Sequence, residues 1–212
     1  MYAVLMVATA VLASPVQAQD FPALRIDAHT GYDRVDGNLT YSDSAAPEDD
    51  FSEGEATSGA VFGATAGFDV PVGRVYLGVE ASAEFAENER CAEVFGNDAA
   101  CFGVGRNFAV GPRIGIAASK RTLVYVGGAW VNGQAKISYE DELSPENDFS
   151  FSDTQNGYRL SGGIEHRLQG SFFLKVEYRY SSYDDYVYEL DTARAELGFS
   201  RHQVVAAIGS RF

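Results

Sequence analysis

Read two residues at a time, the chain alternates. From Leu24, one parity holds Leu24, Ile26, Ala28, Thr30 and Tyr32, and the other holds Arg25, Asp27, His29, Gly31 and Asp33. A period of two is that of a β-strand, whose successive side chains point to opposite faces. The pattern recurs six times. Ala60, Phe62, Ala64, Ala66, Phe68 and Val70 stand against Val61, Gly63, Thr65, Gly67 and Asp69. Val75, Leu77, Val79, Ala81, Ala83 and Phe85 stand against Tyr76, Gly78, Glu80, Ser82 and Glu84. In the fourth segment Phe108, Val110, Ile114 and Ile116 oppose Asn107, Gly111, Arg113 and Gly115. The sixth sets Tyr158, Leu160, Ile164 and Leu168 against Arg159, Ser161, Gly163, Glu165 and Arg167. The seventh sets Phe172, Leu174, Val176, Tyr178 and Tyr180 against Phe173, Lys175, Glu177, Arg179 and Ser181. The last runs to the end of the chain, with Val204, Ala206, Ile208, Ser210 and Phe212 on one face and Gln203, Val205, Ala207, Gly209 and Arg211 on the other. Glycine recurs inside nearly every apolar segment, which excludes a helical reading.

Two segments are out of step. In the fifth, Leu123, Tyr125, Val131, Ile137 and Tyr139 share one parity while Val124, Val126, Trp130 and Lys136 share the other, which predicts a bulge or bend at Gly127-Gly128. In the eighth, Leu197 and Phe199 are out of phase with Val204 to Phe212, which predicts a bulge in its upper part. Tight turns fall at Pro71-Val72-Gly73, Ser119-Lys120-Arg121 and Gln169-Gly170. Between them come long connections, about 36–57, 87–105, 140–156 and 184–194. Short and long connections therefore alternate along about eight strands. Charges sit opposite uniformly apolar faces. That arrangement is polar inside and apolar outside, the reverse of a soluble ligand-binding barrel such as a lipocalin. Past residue 18 no stretch is long and apolar enough for a membrane helix, so a spanning chain has only the closed barrel available. The expected fold is all-β, an antiparallel up-and-down transmembrane β-barrel of about eight strands.

Residues 1–18 read as a signal peptide and 19–212 as the barrel domain. Tyr2 to Ala13 is apolar but too short to span a bilayer, and Val16-Gln17-Ala18 offers small residues at a cleavage site. No Lys or Arg precedes the apolar run, a departure from the usual leader; a buried core helix is the other reading. The formal net charge of −14 excludes nucleic acid as a partner. Cys91 and Cys101 share one connection, and an oxidising compartment favours a disulfide between them over free thiols or a metal pair.

Two stretches carry a family resemblance. Gly157-Tyr-Arg-Leu-Ser-Gly-Gly-Ile-Glu165-His-Arg-Leu runs into Phe172-Phe-Leu-Lys-Val-Glu177-Tyr-Arg179-Tyr180, and the chain closes on His202 to Phe212. They resemble the penultimate hairpin and terminal strand of the opacity and porin-like surface antigens, small bacterial outer-membrane barrels of the OmpA/OmpX type. The resemblance implies location in the bacterial outer membrane, with outer-membrane lipids and the barrel-assembly machinery as partners. Val204, Ala206, Ile208, Ser210 and Phe212 look like the terminal signal that this machinery reads. The resemblance implies no activity.

The residues point the same way. His29, His166 and His202 have no metal-ligand spacing, and the positions two beyond them are Gly31, Leu168 and Val204, so the His/Ser pairing of lipid A deacylases is absent. No cofactor motif and no metal motif is present. Asp36, Asp43, Glu48, Asp49, Asp50, Glu53 and Glu55 in the first long connection, and Glu140, Asp141, Glu142, Glu146, Asp148 and Asp153 in the third, lack basic neighbours. They read as solvated loops, or as a surface holding divalent cations diffusely, since no ordered calcium-loop spacing is present. On the inward parity lie Glu80, Glu84, Arg113, Glu165, Lys175, Glu177 and Arg179. Counting from the connection near Gly96 sets Glu80 beside Arg113, and counting from Gly170 sets Glu165 beside Lys175. Pairs of this kind predict a plugged lumen. The expected function is a non-enzymatic outer-membrane barrel serving envelope structure or surface interaction. The alternative is a narrow porin-like channel, with a soluble ligand-binding barrel and a lipid-modifying envelope enzyme behind it.

Overall fold

The structure, a computed structural model, describes residues 23–45, 48, 51–93, 98–141, 149–190 and 193–212; the expected signal peptide lies outside them. The strands are β1 (Leu24–Asp43), β2 (Phe51–Val72), β3 (Val75–Glu93), β4 (Asp98–Ala117), β5 (Thr122–Asp141), β6 (Phe149–Arg167), β7 (Phe172–Tyr183), β8 (Tyr186–Leu190) and β9 (Ala193–Arg211). Neighbours pair antiparallel in chain order, and β9 pairs with both β7 and β1, which closes a ring of eight. The short β8 is an addition that pairs with β9 above the end of the β7 ladder. Closure leaves the ring without an open edge, the condition for a β-structure in hydrocarbon. At two of the tight turns Gly73 and Gly170 adopt φ of 66° and 70°, a region that glycine enters without a Cβ penalty.

The period-two pattern becomes an inside and an outside. Ile26, Phe68, Val79, Val110, Ile114, Val126, Leu160, Val176, Val204 and Ile208 face outward and are exposed. In a lipid-embedded barrel this is the face that meets acyl chains. On β1 the outward apolar run stops at Tyr32, whose ladder row continues through Val204 to Tyr178. On β5 and β6, Trp130 stands opposite Tyr158. The next outward residues of β1 are Arg34, Asp36 and Asn38, so the aromatics mark the edge of the apolar belt.

Three expectations need correction. The long connections are largely ladder: β1 and β2 pair as far as Tyr41 and Phe51, β3 and β4 to Glu93 and Ala99, β5 and β6 to Tyr139 and Phe149. Above the membrane both faces of a strand meet water. Alternation then vanishes from the sequence, while the backbone hydrogen bonds continue. Next, β5 has no bulge at Gly127-Gly128, and its register with β4 is constant from Val110↔Trp130 to Ala117↔Leu123. The irregularities lie between Phe85 and Asn88 in β3 and between Val104 and Asn107 in β4, so Val104 and Asn107 both turn inward despite opposite parity. Finally, β9 is unbroken against β1 from Arg211↔Arg25 to Ala193↔Asp43. Phe199 is out of phase because it is an inward apolar residue, 6% exposed, above a polar stretch.

Candidate functional site

The lumen is built in layers. At the short-turn end Tyr76 and Leu123 pack with Ala117, each within a few residues of a turn. Phe173 is fully buried at the same end, its ring 5.8 Å from the Arg211 guanidinium. At the far end Val35, Val104, Ala109, Val131, Tyr183 and Phe199 form a second apolar cluster, with Tyr183 and Phe199 stacked at 4.4 Å. Between this floor and this roof lie the charges.

The lower charged cluster has three guanidiniums and three carboxylates. Arg25 donates to Asp69 at 3.2 Å and to Glu80 at 2.7 Å. Arg211 donates to Asp69 at 2.8 Å and to both oxygens of Glu165. Arg113 donates to Glu165 at 3.1 Å, lies 3.6 Å from Asp69 and 3.9 Å from Glu80, and its guanidinium carbon sits 3.9 Å from the centre of the Tyr125 ring. In the upper cluster Glu84 accepts a fork from Arg159, a bond from Arg179 at 2.7 Å and one from Asn107 at 3.2 Å. Glu177 accepts from Tyr125 and from Arg179. Lys175 reaches both oxygens of Asp27 at 2.8 and 2.9 Å, and Arg201 forks onto Asp33. His29 lies among them, 3.1 Å from Arg179 and 3.6 Å from Asp27. Such charges tolerate burial because each meets an opposite one.

Counted by sign, the interior is neutral. Arg25, Arg113, Arg159, Lys175, Arg179, Arg201 and Arg211 face Asp27, Asp33, Asp69, Glu80, Glu84, Glu165 and Glu177. Among the described residues the lumen therefore holds no acidic excess. A cavity of about 10 Å³ remains among Thr65, Glu80, Ser82, Arg159, Glu177 and Arg179, room for about one water. Inward glycines make space for the large side chains. A Cβ on Gly67 would meet the Arg25 guanidinium at 2.5 Å, and one on Gly133 would meet the Tyr183 ring at the same distance.

All seven charges singled out from the sequence line this lumen, but their partners differ. Glu80 stands opposite Gly111, with Arg113 opposite Gly78, because the β3 irregularity displaces the count from the hairpin tip; the two side chains still approach diagonally. Glu165 is directly opposite Lys175 in the ladder, yet it binds Arg113 and Arg211 while Lys175 turns to Asp27. Arg25, Asp27, Asp33, Asp69, Arg159, Arg201 and Arg211 complete the network. Their inward parity was the available signal; Arg25 and Asp69, and Arg201 and Asp33, are diagonal neighbours on paired strands, whereas Arg159 and Glu84, and Lys175 and Asp27, stand on strands that do not pair, where no ladder count reaches.

Of the terminal residues, Val204, Ala206, Ile208 and Phe212 face outward, with Ser210 half-buried beside them. Phe212 seals the barrel seam, its N–H donating to Leu24 at 2.8 Å and its carbonyl accepting from Leu24 at 3.3 Å. Cys91 and Cys101 are opposite in the β3–β4 ladder and joined by a disulfide. Asp36 is not unpartnered: Arg34, two residues earlier on the same face, donates to it at 2.8 Å. Those hydrogen bonds hold the Asp36 carboxyl below its ordinary range. Glu55 and Asp153 are exposed on the outer ladders, while Asp49, Asp50, Glu142, Glu146 and Asp148 lie outside the described residues. His202 bonds the Tyr178 hydroxyl at 2.7 Å, and His166 bonds Thr122 at 3.1 Å.

Comparison with known proteins agrees with this architecture. Residues 4–212 match the family described as outer membrane protein beta-barrel domain. A 22 kDa outer membrane protein of Rhizobium leguminosarum bv. viciae is 27% identical over 150 residues, 69% of this chain and 63% of that protein's length. Among solved structures, Neisserial surface protein A aligns over 89% of this chain and 97% of its own, at TM-score 0.50 and 12% identity. The outer membrane protease OmpT of Escherichia coli aligns over 89% and 97%, at TM-score 0.46 and 10% identity. A lumen closed by its own charges, an apolar outer belt and a match across nearly the whole sequence lead to one conclusion: the chain belongs to the outer membrane protein β-barrel domain family, and its place is the bacterial outer membrane.

Proposed function

We propose that the protein is a non-enzymatic, closed barrel that serves envelope structure or surface interaction through its acidic outer ladders. The observation that carries this reading is the filled lumen. An ion crossing it would have to pass an apolar roof, displace interlocked charge pairs and pass an apolar floor. A barrel of eight strands has an interior just wide enough for side chains to fill, and here they fill it. The buried acids and bases of the lumen are already engaged with one another, as Glu84 is with Arg159, Arg179 and Asn107. The outer ladders carry the charge excess, and divalent cations would screen them diffusely.

The test is conductance. Purified protein in planar bilayers should give no steady current, and folded protein should migrate faster on a gel before boiling than after. Stepwise conductance at low voltage would favour the narrow channel instead.

A further inference from the structure

The two ends of the barrel carry opposite charge. The outer end is acidic. At the short-turn end the tight turns present Arg74, Lys120, Arg121 and Arg167, and no Asp or Glu side chain is exposed among their described residues. On that rim a groove of about 620 Å³ opens onto the lipid-facing surface. Its apolar wall is Leu168, Phe172 and Ile208, which share the outward face of the membrane belt and are 39%, 55% and 56% exposed. Its polar edge is Arg121, His166 and Arg167. The Thr122 hydroxyl bonds Nδ1 of His166, which leaves Nε2 without a partner among the described residues. The wall is continuous with the surface that acyl chains cover, and the edge sits where a headgroup layer begins.

We propose that this groove holds a membrane glycerophospholipid, its phosphate bound by the Arg121 guanidinium and the His166 ring N–H and its acyl chain lying along Leu168, Phe172 and Ile208. Arginine matches phosphate oxygens with a planar fork, and charge-assisted bonds of this kind are about twice as strong as neutral ones. An apolar wall alone would take any acyl chain. The cations select a phosphate, and no Asp or Glu side chain among the described residues of these turns opposes its charge.

The test uses the full chain, refolded in zwitterionic detergent and titrated with short-chain phosphatidylglycerol or with the matching diacylglycerol, which lacks the phosphate. Binding is read from the NMR methyl signals of Leu168 and Ile208. Phosphatidylglycerol should saturate them, and the diacylglycerol should bind at least about tenfold more weakly, the loss expected for one charge-assisted contact. The double variant Arg121→Gln, His166→Gln should lose phosphatidylglycerol to the same extent while its heat-shifted gel band stays that of a folded barrel. Lys120→Gln, outside the groove, serves as the control and should bind as the wild type does. Equal binding of the two lipids, undiminished binding by the double variant, or no saturation by phosphatidylglycerol would overturn the proposal. Saturation by inorganic phosphate alone, with no response at Leu168 and Ile208, would overturn it as well.

Discussion

Arg113 is the side chain on which the lower charged cluster depends, and its removal can be worked through. In the wild type, Arg25, Arg113 and Arg211 balance Asp69, Glu80 and Glu165. Arg113→Ala leaves three carboxylates facing two guanidiniums. Arg113 is 3% exposed and Glu165 is fully buried, so water cannot make up the difference. Removing one partner of a buried pair costs about 3–5 kcal/mol. Loss of the guanidinium from the face of Tyr125 adds about 0.5–2 kcal/mol with the same sign. A loss of about 4 kcal/mol, roughly three powers of ten in the unfolding constant, is expected. Adding Glu165→Gln restores the charge balance and should return roughly half of the loss, a coupling within the range for residues in one network. The assay is urea unfolding in lipid bilayers, followed by the emission of Trp130, the single tryptophan, which faces the membrane and is 51% exposed. Conductance should stay absent, because the apolar roof and floor do not involve Arg113. A shift under about 1 kcal/mol, with no rescue by the second substitution, would mean that the charges are hydrated one by one, and the interlocked lumen would be refuted.

Three further outcomes are expected. Replacing both Cys91 and Cys101 by Ser should cost at most about 3 kcal/mol, because the disulfide closes a short loop over a ladder that stands without it; thiol labelling of unreduced, denatured wild type should find no free thiol. Gly133→Ala should cost about 1–3 kcal/mol, since its Cβ would press into the Tyr183 ring, which stacks on Phe199 and donates to Asn107; unchanged urea midpoints would show that the roof is loosely packed. Deleting Phe212 should lower the amount of heat-shifting protein in the outer membrane without altering what does fold, and wild-type levels would remove the terminal residue from assembly.

Inside the membrane the fold was legible because each strand separates two solvents. Lipid on one side and packed charge on the other leave a period of two, and Arg113, Lys175 and Arg179 could be assigned inward from that period alone. Outside the membrane both faces are wet. The ladder from Asp36↔Ala56 to Tyr41↔Phe51 has no alternation to announce it and looked like loop. The irregularity between Phe85 and Asn88 was hidden for a related reason: it moves a side chain between two environments without changing composition. The partners in the lumen were hidden by distance. Lys175 faces Glu165 across the ladder, but its long stem passes over β9 to Asp27 on β1, a choice made by three-dimensional closure.

The seam between β1 and β9 bears on how the barrel enters the membrane. Several of the strongest lumen bonds join residues far apart in the chain: Arg201 to Asp33 across 168 positions, Lys175 to Asp27 across 148, and Arg211 to Asp69 across 142. The acids come from β1 and β2 and the bases from β7 and β9. Until the seam shuts, Asp27 lacks Lys175 and Asp33 lacks Arg201, while Asp69 has Arg25 but not Arg211, and a half-built sheet lying flat in hydrocarbon would expose the two β1 carboxylates to it. The first hairpins therefore have no stable resting place in the bilayer by themselves. Insertion and closure are one cooperative event, in which the final strand delivers the neutralising charge and the last ladder hydrogen bonds together.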